Sequence, residues 1–204
     1  MRRVRVYVDG FNLYHGMKAQ FGRAFHWLDL EALGRTLLRP GQRLDLVRYF
    51  TARVREHDAG RRRQVTYLEA LHAFCALVET QEGRFQQKTC RCFACQATWT
   101  TYEEKETDVN LAVALVEDAA LDRFDIALIV SADSDLCPAI RAVRRIRPGS
   151  KIIAIFPPKR HSDELKRTAD AVYWLGRDKL RQSQLPPEVI TPSGIKLTRP
   201  SYWG

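Results

Sequence analysis

The chain lacks several features that would place it quickly. No apolar run approaches the roughly 20 residues that span a bilayer. The opening stretch, MRRVRVYVDG, has no hydrophobic core of a secretory leader. The expectation is a cytoplasmic protein with no membrane partner. Cysteines number five, an odd count without a leader, which argues against a disulfide framework. Histidines also number five, and nothing resembles a Ser-His-Asp triad or a glycine-rich phosphate loop. No internal repeat or low-complexity block interrupts the chain.

What is present is a globular composition: 204 residues, 45% hydrophobic and 28% charged, enough to bury a core without staples. Lys and Arg total 33 against 24 Asp and Glu, a net charge of +9. Such an excess favours polyanionic partners, nucleic acid ahead of an acidic membrane surface. Arginines gather in RVREHDAGRRR (53–63) and RAVRRIRPGSK (141–151).

Strand and helix patterns alternate. VRVYVDG (4–10), LDLVRYFTARV (44–54), DIALIVS (125–131) and SKIIAIFP (150–157) read as strands, and DAVYWL (170–175) as an edge strand. Helices are expected over 11–22, 28–38, 63–81, 107–121 with Thr107 or Asp108 as its cap, 135–146 and 162–169. This rhythm implies parallel βαβ units and a three-layer α/β fold. Residues 84–104 look like a polar insertion carrying cysteines, the main domain is expected over 1–178, and 179–204 reads as an extended C-terminal tail.

In open parallel sheets, ligands bind beyond the carboxyl ends of strands where strand order reverses. Asp9 ends the first strand, and Asp133 and Asp135 follow the apolar strand in LIVSADSDLCPAI (128–140). Asp108 and Glu104 flank the start of the helix over 107–121. If these carboxylates share one cleft, they repel one another, and a hard cation, Mg²⁺ or Mn²⁺, is the natural counter-charge. Each residue also has a plain structural role open to it. Asp135 can cap a helix, Asp9 can sit in an Asp-Gly turn, Asp108 can complement a helix dipole, and Glu104 can be one of a solvated EEKE run.

VYVDGFNLYHG (6–16), EEKETDVNLAVALVEDA (103–119) and ALIVSADSDLCPAIRAVR (127–144), in this order, resemble the NYN domain family, the LabA-like group of the PIN-like nucleases. The similarity runs over roughly residues 4–175. The resemblance implies a PIN-like fold, a mainly parallel central sheet flanked by helices, and metal-dependent cleavage of RNA phosphodiesters. Asp9, Asp108 and Asp133 match acidic positions that would ligate one Mg²⁺ or Mn²⁺, directly or through water. Asp135 would hold a second ion or orient a metal-bound water, and Glu104 and Lys105 match a Glu-Lys pair. Asn12 matches the asparagine of the first block and would fix Asp9, contact phosphate, or cap a helix. Ser131 would bond an aspartate or a phosphate, with structural capping as the plainer role.

A single-stranded RNA path would use Arg53, Arg55, Arg61, Arg62, Arg63, Lys159, Arg160, Lys196 and Arg199 for phosphates. Stacking surfaces would come from Tyr14, Trp99, Tyr102 and Trp203, with Tyr14 and Trp203 preferred. His15 is expected near the site, His26 and His161 on the surface, and Cys137 in the core. Cys90, Cys92 and Cys95 form C-x-C-x₂-C, whose second pair has the spacing of a zinc knuckle. A closed Zn²⁺ site needs a fourth ligand, from Cys75, His72, His57 or a second copy in a homodimer; otherwise these are three reduced thiols. Two rivals to a ribonuclease stay open: a non-catalytic RNA- or protein-binding module of the same fold, and a nucleotide-sugar transferase built on the D-x-D pair.

Overall fold

Alternating valines in the first strand decide how the sheet is covered. β1 (Arg2–Asp9) sends Val4, Val6 and Val8 into one core and Tyr7 into another. β5 (Ile126–Val130), buried along its whole length, divides likewise, with Ile126, Leu128 and Val130 in the first core and Ala127 and Ile129 in the second. A strand apolar on both faces needs helices on both sides. The structure, a computed structural model, describes residues 1–53 and 58–203; Arg55 and His57 lie outside the described residues, as do the side chains of Asp58, Glu103, Glu104 and Tyr202.

Among the described residues, seven strands form the central sheet. Besides β1 and β5 these are β2 (Gln42–Ala52), β3 (Val78–Arg91), β4 (Thr98–Lys105), β6 (Lys151–Phe156) and β7 (Ala171–Trp174). The order is β4-β3-β2-β1-β5-β6-β7, parallel throughout except for the β3–β4 pair. α1 (Gly10–Phe21), α2 (Leu30–Thr36) and α3 (Asp58–Phe74) supply the first core. α4 (Thr107–Ala120), α5 (Cys137–Ile146) and α6 (Asp163–Thr168) supply the second, where Cys137 is buried as expected. The α/β, mainly parallel, helix-flanked architecture is therefore the one the strand–helix rhythm implies. The chain grows outward from β1 through β2 and β3, then returns to place β5 on β1's other side. The order reverses between β1 and β5, where Val8 pairs with Val130. No helix among the described residues is long and apolar enough to cross a membrane.

Several expectations need correction. The helix over 63–81 stops at Phe74, because Leu77 and Val78 join the sheet: the Leu77 carbonyl accepts from Val47 N, and Val78 aligns with Val47. Residues 84–104 are no insertion beside the sheet. β3 pairs with β2 through Gly83 and then runs on as one arm of a hairpin with β4. A Cβ on Gly83 would lie 2.6 Å from the Lys105 carbonyl oxygen, so only glycine lets the hairpin base close this tightly. Neither Thr107 nor Asp108 caps α4. Glu106 precedes the helix in the left-handed region (φ 79°), and both residues fall in its first turn. The segment 179–204 is not an extended tail. α7 (Arg177–Gln182), a ribbon of β8 (Glu188–Ile190) and β9 (Lys196–Thr198), and a 3₁₀ turn (Ser201–Trp203) bury Leu180, Leu185, Val189, Leu197 and Trp203 in the first core. Apolar residues spaced between prolines carried that burial without a periodicity to announce it.

Near the C-terminus of α4, roughly 15 Å along the helix from Asp108, Asp118 is fully buried. It accepts from the Tyr7 hydroxyl (2.7 Å) and meets Arg5 (3.0 Å), Arg123 (3.1 Å) and Arg48 (3.4 Å). Burial pushes its pKa up, but the Tyr7 hydroxyl and the Arg5 and Arg123 guanidinium groups outweigh burial and hold it below the ordinary value. This buried ion cluster braces β1 and β2 against α4. Asp118→Ala takes the carboxylate from the part-buried Arg5 and Arg48 and the acceptor from the buried Tyr7 hydroxyl, and should cost roughly 2–4 kcal/mol. Urea denaturation measures it, and a loss under about 1 kcal/mol would show that the cluster is not a brace.

Candidate active site

The site begins where β1 becomes α1. Asp9, only 3% exposed, caps α1: one carboxylate oxygen accepts from Asn12 N at 2.9 Å, the other from Ser131 Oγ at 2.8 Å. Gly10 must be glycine, since a Cβ there would stand 2.6 Å from the Phe50 carbonyl oxygen. The asparagine of the same turn does not cap the helix. Its Oδ1 accepts from Ala132 N (3.2 Å), tying α1 to the loop after β5. Ser131, fully buried, also accepts from Asp133 N (3.0 Å). Both bonds hold aspartate positions, the structural of the two roles open to this serine.

Asp133 accepts from Asp135 N (2.9 Å) and opens a 3₁₀ turn over Ser134–Leu136. Asp9, Asp133 and Asp108 line one cleft of about 160 Å³, with Phe11, Asn12, His15 and Arg160 completing its walls. Thus three of the predicted carboxylates come together at the reversal of strand order. Asp135 is exposed in the turn and outside this lining, and the Glu104 side chain lies outside the described residues. Gly16 lets α1 approach the segment bearing Arg160, since a Cβ there would lie 2.6 Å from the Pro158 carbonyl oxygen.

The donor set is entirely oxygen on the acidic side, which suits Mg²⁺ or Mn²⁺. Such ions keep several waters and need only one or two direct carboxylates. Among the described residues no group of three or more His, Cys, Asp or Glu stands close enough to hold an ion by side chains alone. Direct ligation of one ion by Asp9, Asp108 and Asp133 together is therefore not the arrangement seen.

The predicted cations divide. Arg160 reaches the cleft; Lys159 is exposed beside it; Arg61 and Arg62 are exposed on α3; Arg63 is half-buried; Lys105 is half-buried at the end of β4. Two are engaged elsewhere, Arg53 with Glu82 (2.7 Å) and Lys196 with Glu188 (2.6 Å). Trp99 is exposed on the hairpin, and Tyr14 is 39% exposed on α1.

A second, larger cavity of about 570 Å³ adjoins the cleft through Phe11 and His15, which line both. His15 sits there as anticipated; burial, then Arg160 and Lys18, push its pKa down. Trp203 and Tyr67 are part of this cavity's wall, and so is His26. His26 is not a surface residue: it is 5% exposed and packed against Tyr14 (4.8 Å) and Trp203 (5.6 Å). Its position inside the apolar run AFHWL was the overlooked signal.

At the hairpin tip, Cys92 N donates to the Ala97 carbonyl (2.8 Å) and Gln96 N to the Cys92 carbonyl (2.9 Å), curling Cys92 and Cys95 into one turn. The backbone N–H of Cys95, then its side chain and the Ala94 N–H, hold the Cys92 thiol below its ordinary pKa. Cys90 stays in β3, opposite Trp99. Cys75 is no fourth ligand: it is buried in the first core, donates to Asp29 (3.3 Å), and burial pushes its thiol up to about 12.

Residues 3–176 match the family model of the NYN domain. The chain belongs to the NYN domain family. This NYN chain is 30% identical, over 177 residues, to 6-hydroxy-3-succinoylpyridine 3-monooxygenase HspA of Pseudomonas putida. The match covers 70% of this chain and 55% of that protein, so the chain spans about half the length of this relative. A crystal structure of a Vibrio parahaemolyticus protein of unknown function superposes with a TM-score of 0.59 at 16% identity, covering 90% of this chain and 96% of that one. This likeness speaks to the fold.

Two measurements check the site's construction. Ser131→Ala removes a donor to a buried carboxylate and should cost roughly 1–3 kcal/mol in urea denaturation. Burial, with Lys18 and Arg23 nearby, pushes His26 from its ordinary 6.5 down to about 4. The unfolded chain therefore binds the extra proton first. The stability gained from keeping this imidazole neutral is full above 6.5 and is lost as pH falls towards about 4, by roughly 3 kcal/mol. His26→Phe should flatten the slope of stability in that window.

Proposed function

We propose that this NYN domain is a ribonuclease of the LabA-like, PIN-like kind that hydrolyses phosphodiester bonds of single-stranded RNA with Mg²⁺ or Mn²⁺. The supporting observation is the convergence of Asp9, Asp108 and Asp133 on one cleft at the reversal of strand order, with Arg160 on its wall. When bound, the cation would supply an activated water and counter-charge for the phosphoryl oxygens. Asp108 and Asp133 would hold it with its waters, and Asp9, pinned by Ser131 and Asn12 N, would fix the pocket's charge. Arg160 contributes a cation for the phosphate, Lys159 and the α3 arginines a path for neighbouring phosphates. His15, shifted towards its neutral form, is a proton acceptor within the same walls.

The non-catalytic RNA-binding module remains the second reading, favoured by the absence, among the described residues, of three ligating side chains close enough to grasp an ion. In either reading the expected Zn²⁺ site of Cys90, Cys92 and Cys95 is reduced to the Cys92–Cys95 turn, since no three ligating side chains gather among the described residues, and a second copy of the chain would have to supply the other ligands. The monooxygenase name belongs to a relative matched over 55% of its length, and that reaction is not carried over.

The purified protein should cleave single-stranded RNA with Mn²⁺ or Mg²⁺. Asp133→Asn should lower the rate on the order of 100-fold or more, and Asp135→Asn, outside the cleft, far less. Salt-sensitive RNA binding with no turnover under any divalent ion would instead establish the binding module.

A further inference from the structure

The 570 Å³ cavity beside the acidic cleft has the size of a small-ligand site and walls unlike those of the cleft. Tyr14, Tyr49, Tyr67 and Trp203 give it aromatic faces, and Leu13 and Met17 an apolar floor. Among the described residues, the charged side chains on its lining are Lys18, Arg23 and Arg63, all cationic. One polar group within this wall is unresolved. Nε2 of His26 is buried with no hydrogen-bond partner among the described residues. A buried polar nitrogen left unpaired costs about 1–3 kcal/mol, so a native structure that keeps one calls for an explanation. The rest of this imidazole is well packed, between Tyr14 and Trp203.

We propose that the cavity is a binding site for a planar, uncharged nitrogen heteroaromatic ring bearing an anionic substituent, with the ring among Tyr14, Trp203 and Tyr67 and its polar edge satisfying His26 Nε2. A flat ring stacks on aromatic walls whatever its substitution pattern. A nucleobase edge carries both donors and acceptors, so either neutral tautomer of His26 finds a partner, and a pyridine nitrogen accepts from the Nε2–H tautomer. Tyr14, 39% exposed and 4.8 Å from the imidazole, is the side chain that must yield as the ring enters. Lys18, Arg23 and Arg63 on the lining supply positive charge for the anionic substituent, and Phe11 and His15, which line both cavities, connect the site with the cleft that Arg160 walls. Two sources share this chemistry: the base of a nucleotide whose phosphate enters the cleft, and a free heteroaromatic acid. The first deepens the ribonuclease reading and rests on it; the ring site itself does not.

The test is calorimetric titration of the full chain in EDTA, where no metal-dependent turnover occurs, with uridine 5′-monophosphate, adenosine 5′-monophosphate, nicotinate and ribose 5-phosphate. A ring-bearing probe should bind at least ten-fold more tightly than ribose 5-phosphate. His26→Phe, which keeps the packing, should weaken it at least ten-fold, as should Tyr14→Ala at a position outside the core, each variant first shown to melt as a folded protein. Tighter binding of the nucleotides assigns the ring to a nucleobase; tighter binding of nicotinate assigns it to a free acid; both support the site. Equal binding of ribose 5-phosphate, no binding of any probe, or unchanged affinity in both folded variants overturns it. Ring binding by the unmutated protein that cleaves no RNA with Mn²⁺ or Mg²⁺ would reject the ribonuclease reading alone, and cleavage without ring binding would reject the ring site alone.

Discussion

A carboxylate that is almost wholly buried at the end of a central strand needs hydrogen-bond donors for its oxygens, and Asp9 is in that position. Its two oxygens are claimed by the Asn12 backbone amide in the first turn of α1 and by the hydroxyl of Ser131, at the end of the neighbouring strand. This pair of bonds spans the line where strand order reverses. The same serine orients Asp133 through its backbone, and the Asn12 amide oxygen fixes the intervening Ala132. The relative position of Asp9 and Asp133 thus follows from how one buried carboxylate is satisfied.

Around that point the fold works by close approach. Gly10, Gly16 and Gly83 stand where a Cβ would meet a backbone carbonyl at 2.6 Å. The three contacts set α1 against β2, α1 against the segment bearing Arg160, and the hairpin base against the start of α4, which delivers Asp108. The other end of α4 is held by the buried Asp118 cluster. A helix fixed at both ends keeps its first-turn carboxylate in place without relying on a side-chain cap, and none is present there.

The C-terminal segment changes what the molecule presents to a ligand. By packing Trp203 against Trp27, Tyr67 and His26, it turns the first core's rim into an aromatic-walled cavity contiguous with the acidic cleft. The cleft is lined by carboxylates, the cavity mainly by aromatic and apolar side chains, and α1 lies along both with Phe11, His15 and Lys18 at helical spacing. Charge at one end and stacking surface at the other are the two elements that single-stranded nucleotide recognition combines.

Residue pattern alone determined the α/β class, because continuous apolar strands such as IALIV require cover on both faces, and it determined which aspartates stand at strand ends. It also marked Asn12 and His15 as neighbours of that point. Only the tertiary structure decided which carboxylates face one another: Asp133 enters the cleft while Asp135, two residues on, turns to solvent, since a 3₁₀ turn separates them in direction. Tertiary packing likewise converted the end of an expected helix into a strand, folded an expected tail over the core and buried His26. In each case the deciding partners are far away in sequence: Val47 for Val78, the first core for Leu197, Trp203 for His26. Local periodicity records which residues are apolar, but not which distant surface will cover them.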